Sequence, residues 1–281
     1  MRLSRHASVL SGLALATALA VTACGGSGGA AAPGAAPAGL SAAQALAKVG
    51  ESSDTLESYA FDIEMTSTGE TEISMTGHGS VQVDPLAMDM EFTDMTVAGQ
   101  SMSGVSMVFV GDVFYMKMPA LSAAIAPAEW VKMDLSEVPE LSGLNFKDLL
   151  DNTRQMDPMT QIRMLQASGD FHEVGSESVD GVQTTHYSGS IDVSKLSDAA
   201  KLDKDMRKLV EEGYAALGVS TVDYDVWIDG DFLVRKMVME LPGSTGTQTM
   251  TMTISDYNKS VDISAPAESE TVDLLELTGQ S

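Results

Sequence analysis

From residue 58 onward, apolar and polar positions alternate with a period of two. In "YAFDIEMTSTG", Phe61, Ile63 and Met65 alternate with Asp62, Glu64 and Thr66. In "TEISMTGHGSVQV", Ile73 and Met75 alternate with Glu72 and Ser74. In "LAMDMEFTD", Leu86, Met88, Met90 and Phe92 alternate with Asp89 and Glu91. Successive strand side chains point to opposite faces, so each segment predicts a strand with one buried side. Gly69, Asp84-Pro85 and Gly99 supply turns between them. "GVSMVFVGDVFYMKMP" predicts a hairpin turning at Gly111-Asp112, with Phe114, Met116 and Met118 on one side, and "EWVKMD" extends the sheet. "FHEVGSESV" and "QTTHYSGSIDV" form a second pair through Asp180-Gly181. "TVDYDVWID", "FLVRKMVMEL" and "TQTMTMTISDY" close the chain, the first two joined through Asp229-Gly230-Asp231.

Helical periodicity appears in four places. "SAAQALAKV" opens with Ser41 and Gln44 in capping-box spacing, with Ala43, Leu46, Ala47 and Leu56 as its apolar stripe. Asn145 caps "FKDLLDN", and Asp157-Pro158 starts "PMTQIRMLQAS". The longest helix spans about residues 195 to 217, with Leu202, Met206, Leu209, Val210, Tyr214 and Leu217 on one face. The acidic C-terminus is expected to fray. Sequential hairpins imply an antiparallel sheet of about ten strands. A sheet that wide curls, and helices gathered on one side make it an α+β arrangement.

The first residues follow neither period. Arg2 and Arg5 precede "ASVLSGLALATALAVTA", an apolar run shorter than the roughly 20 residues of a membrane-crossing helix. This is the pattern of a secretory signal. Val21-Thr22-Ala23-Cys24 resembles the bacterial lipobox, which implies a diacylglycerol thioether on Cys24 and cleavage before it. Two acyl chains anchor stably where one does not. "GGSGGAAAPGAAPAG" then builds no core and reads as a flexible tether with a reach of roughly 20 Å. The expected organisation is a signal over 1–23, lipidated Cys24 and tether over 24–40, and a single domain over 41–281, held at the extracytoplasmic face of the cell membrane.

Composition narrows the function. Cleavage removes Arg2 and Arg5 but no acid, taking the net charge from −24 to −26. Such acidity makes nucleic acid an unsuitable partner. Cys24 is the single cysteine, so no disulfide forms within the chain. The 19 methionines outnumber the 15 aromatic residues, and Met lines surfaces that accept varied apolar shapes. His78, His172 and His186 sit in predicted strands without metal-ligand spacing, and read as solvated strand histidines. "GQSMSG" does not match a nucleophile elbow. "DYDVWIDGD" departs from the calcium-loop pattern. No glycine-rich phosphate loop occurs. The sequence therefore predicts no catalytic residue, no metal site and no cofactor.

The element order behind a lipobox resembles the LolA-like fold, and within it the LppX/LprG type of actinobacterial lipoprotein. The segments that carry the resemblance are the lipobox and tether, the first helix running into "SYAFDIEMTSTG", and "VDYDVWIDGDFLVRKMVMEL" with "TMTISDYNKSVDISAPAES". The resemblance implies a curled antiparallel half-barrel with helices across its concave face. It also implies an apolar cavity between them that holds acyl lipid. The strand pattern nominates Phe61, Ile63, Met65, Met75, Met88, Met90, Phe92, Met116, Met118, Val226, Ile228, Met237, Met239, Met250 and Met252 for the cavity face. The acidity departs from what an anionic headgroup needs. The expected function is a membrane-anchored, non-enzymatic carrier of an apolar ligand. The alternative is an interaction or sensor lipoprotein whose packed barrel binds an envelope protein.

Overall fold

The computed structural model describes residues 40–69, 72–135, 170–195 and 204–278. The signal over 1–23, the lipidated Cys24 and tether over 24–40 and the two helices over "FKDLLDN" and "PMTQIRMLQAS", all expected from the sequence, lie outside them except for residue 40. The first helix, α1 (Ala42–Ser53), begins with the capping box: Gln44 N donates to Ser41 Oγ at 3.3 Å and Ser41 N to Gln44 Oε1 at 2.9 Å. Its buried residues are Ala42, Ala45, Leu46 and Val49. Leu56 is buried too, but beyond the helix end.

The alternating segments become strands β1 (Ser58–Ser67), β2 (Ile73–Gln82), β3 (Ala87–Val97), β4 (Gln100–Met102), β5 (Val105–Val110), β6 (Val113–Lys117) and β7 (Trp130–Asp134). The second half adds β8 (His172–Val179), β9 (Val182–Asp192), β10 (Thr221–Asp229), β11 (Val234–Gly243), β12 (Gly246–Ser255) and β13 (Thr271–Asp273). Among the described residues, further helices are α2 (Pro119–Ile125), α3 (Lys204–Ala216) and α4 (Leu274–Thr278).

Among the described residues these thirteen strands form one sheet, in the order β13-β7-β6-β5-β3-β2-β1-β12-β11-β10-β9-β8, with β4 beside β3. The two ends of that order do not pair, so the curled sheet stays an unclosed half-barrel. β1 and β12 pair antiparallel and join the two halves of the chain at its centre. All pairings are antiparallel except β13 with β7. The two strands that no quoted segment predicts are β4 and β13, three residues each and too brief to show a period. The C-terminus does not fray where it was expected to. Thr271–Asp273 runs parallel to Trp130–Lys132, and α4 follows. Pairing with the backbone of β7 covers one edge of the sheet.

Residues directly opposite one another in a ladder share a face. The odd-numbered residues of β1 therefore share a face with Ile254 and Met252 of β12, and with Gly79 and Val81 of β2. α1 packs on this apolar side, in one cluster with Phe61, Tyr187, Val226, Ile228, Met237 and Ile254. Gly79 accommodates that packing. A Cβ there would stand 2.6 Å from the Phe61 ring and 2.3 Å from the Asp89 carbonyl oxygen. The opposite face carries Asp62, Glu64, His78 and Glu91, matched across strands with Thr251, Thr253 and Thr76.

Candidate functional site

The registers align six methionines into one row across six strands. Met239 of β11 faces Met250 of β12, which faces Met65 of β1. Met65 faces Met75 of β2, Met75 faces Met95 of β3, and Met95 faces Met102 of β4. Tyr224 of β10 ends the row beside Met239. Neighbours in such a row hold their Cβ atoms about 5 Å apart. Flanking rows repeat the character. Met237, Met252 and Ile63 form one; Met90, Met107 and Met116 form another.

The nominated residues thus fall on one face, in two environments. Phe61, Val226, Ile228 and Met237 are buried in the cluster that α1 closes. Ile63, Met88, Met90, Met239 and Met252 are half-buried and pack against that cluster. Met65, Met75, Phe92, Met116 and Met250 are half-buried on the same face. Met118 is half-buried beyond the end of β6, at the N-cap of α2. Met95, Met102, Met107 and Met133 belong to the face as well, though the alternation did not nominate them. Thr93 is the extra residue of a bulge between Phe92 and Asp94, which moves the apolar parity from even to odd and hides Met95, while Met102 sits exposed in the three-residue β4, too short to alternate. Met107 and Met133 sit in short strands that are half-buried or buried along their whole length, so no alternation marks their side.

A cavity of about 260 Å³ opens one step along the strands from the methionine row. Ser67, Ile73, Leu241 and Gln248 form its sheet side, two residues beyond Met65, Met75, Met239 and Met250. Leu217 and Val219, just past α3, form another side, and Thr68, Gly243, Thr245 and Gly246 complete it. None of these side chains is charged. At the end of the row Tyr224 is buried: burial first, and the neighbouring Tyr214 second, push its hydroxyl well above its ordinary value of 10. Burial also raises Tyr214.

The opposite face is polar and cross-linked. The His186 ring stacks on Trp227 with centroids 4.2 Å apart, and Lys236 Nζ lies 4.7 Å from the Trp227 ring centre. His186 Nδ1 stands 3.2 Å from Glu177 and Nε2 2.7 Å from Asp225, while Trp227 Nε1 donates to Glu177 at 3.0 Å. His186 is therefore not the solvated residue expected from its strand; its side chain is only 12% exposed. Its strand position could not show that Trp227 would cover it. His78 and His172 are exposed. Among the described residues, no three His, Cys, Asp or Glu side chains gather in metal-binding geometry, and no helix is long and apolar enough to cross a membrane.

Two Streptomyces proteins are similar in sequence. The "Uncharacterized 31.2 kDa protein in rplA-rplJ intergenic region" of Streptomyces griseus is 33% identical over 171 residues, covering 60% of this chain and 56% of that protein. The "Putative lipoprotein SCO4650" of Streptomyces coelicolor is 24% identical over 170 residues, covering 60% of this chain and 51% of that protein. The chain thus spans little more than half the length of either relative. Among solved structures, the lipoprotein LppX of Mycobacterium tuberculosis aligns over 79% of this chain and 97% of its own, at 16% identity and a TM-score of 0.49. That likeness carries no functional argument. Residues 41–271, nearly the whole described fold, match the family described as "Family of unknown function (DUF6612)", and the chain belongs to that family.

Proposed function

We propose that this chain is an extracytoplasmic lipoprotein, anchored through Cys24, that holds the acyl portion of a lipid against its methionine face. The observation that carries the reading is the row from Met239 to Met102, half-buried as far as Met95, continuous across six strands and running beside an uncharged cavity. Exposing a methylene to water costs about 0.8 kcal/mol, so a carrier must offer a hydrocarbon surface. Methionine offers one that reshapes itself, because its side chain is unbranched and polarizable. The cavity volume sits just under the roughly 300–1,000 Å³ of sites that enclose a whole small molecule. It suits a segment of one acyl chain, with the methionine row yielding to the remainder. The lipobox and the lipoprotein name of the S. coelicolor relative support the anchor.

The second reading is an interaction lipoprotein with a filled barrel. The fully buried residues beneath α1, Val226 and Ile228 among them, favour it. Native mass spectrometry separates the two. A secreted, unlipidated version of the chain is expected to carry co-purifying acyl species and to take up a fluorescent fatty acid. Met90→Asp, which sets a charge on the half-buried face, is expected to lower that uptake at least tenfold while the far-ultraviolet circular dichroism stays native. A clean apo mass with no uptake would leave the second reading.

A further inference from the structure

We propose that the centre of the methionine row is a binding site for a soft monovalent cation, copper(I) or silver(I). This inference stands independently of acyl binding. Met65 is flanked by Met75 on one neighbouring strand and Met250 on the other. Three thioethers thus rise from adjacent strands of one face, with Cβ atoms about 5 Å apart. Two bonds separate each Cβ from its sulfur, so the three sulfurs can converge on one ion without moving the backbone. Met239 and Met95 extend the donor set by one position on either side.

The chemistry selects the ion. Thioethers are soft ligands that favour copper(I), whereas carboxylates and carbonyls suit magnesium, calcium and manganese. No carboxylate or imidazole interrupts the row, because the acidic residues of these strands lie on the opposite face. Methionine is also an unexpected choice for a strand surface that merely packs. β-branched and aromatic residues fit a pleated sheet better, and six successive positions avoid them. The site has an approach: the uncharged cavity begins one step away, at Ser67, Ile73 and Gln248. A net charge of −24 raises the local concentration of any cation before it enters.

The test uses the mature lipoprotein in non-ionic detergent, titrated with silver nitrate in chloride-free buffer with excess magnesium to occupy surface carboxylates. Native mass spectrometry counts the ions retained, and competition against a chromophoric copper(I) chelator measures affinity. The wild type is expected to hold one silver(I) or copper(I). The variant Met65→Leu/Met75→Leu/Met250→Leu, which keeps apolar volume and removes the sulfurs, is expected to bind at least a hundredfold more weakly. Met65→Leu alone, the gentler change if the triple variant unfolds, should lose at least tenfold. Equal retention by wild type and Met65→Leu, or no ion on the wild type, would overturn the proposal.

Discussion

Asp229 holds the tightest polar knot in the fold. Its side chain is only 3% exposed; Oδ1 accepts from the backbone N–H of Asp231 and Leu233, each at 2.9 Å, and Oδ2 from Arg235 Nε at 2.6 Å. A buried carboxylate is tolerable only when it is paired and hydrogen-bonded in this way. Asp229→Ala would leave two turn amides and a mostly buried guanidinium without their acceptor. The expected loss is about 3 kcal/mol, read as a lower urea midpoint at unchanged slope. A second residue-level expectation concerns alkali. Tyr187, Tyr214 and Tyr224 are all raised, in each case chiefly by burial. Below pH 10 both folded and unfolded chains keep these protons, and the stabilisation is fully present. Above pH 10 the unfolded chain releases them first and binds fewer protons than the folded one. Stability therefore falls as pH rises, by about 1.4 kcal/mol per pH unit for each such tyrosine, until its folded value is reached. Tyr224→Phe should remove one tyrosine's share of that slope in urea titrations between pH 10 and 11.

At the scale of elements, β8 is an edge strand held on one side by β9 and on the polar face by Glu177. Glu177 is 53% exposed, so its contacts contribute little to global stability. They should instead govern local opening. Glu177→Ala is expected to speed hydrogen exchange of the β8 amides several-fold, leaving β1 and β12 unchanged. Equal rates in β8 would show that Trp227 and His186 hold nothing through that carboxylate. The long strands were legible in the sequence because one of their faces is apolar and the other charged, as in Phe61-Asp62-Ile63-Glu64. The first helix was legible through its capping box. What escaped had physical reasons. β13 has three residues and no period, and its pairing with β7 is a long-range event. The bulge at Thr93 reversed the parity that would have nominated Met95. Thioethers brought together only by strand pairing leave no spacing signature along the chain. The apolar face itself was readable strand by strand, but the continuous row of six required the registers.

For the whole molecule, the decisive contrast is between its two faces. Acids and threonines cover one side of the sheet, while methionines cover the other, and the chain carries a net charge of −24. If the apolar face receives an acyl chain from a bilayer, the charge acts on the encounter and leaves the packing alone. An anionic membrane surface repels the protein across about one Debye length, roughly 30 Å at 0.01 M salt and 8 Å at 0.15 M. Transfer of a fluorescent fatty acid from anionic vesicles to the unlipidated chain should therefore accelerate at least tenfold as salt rises from 0.01 to 0.15 M. Transfer from zwitterionic vesicles should change less than twofold over the same range. Stopped-flow fluorescence measures both. The same insensitivity with both vesicle types would mean that the acidic face turns away during transfer, so that the methionine face meets the bilayer unopposed.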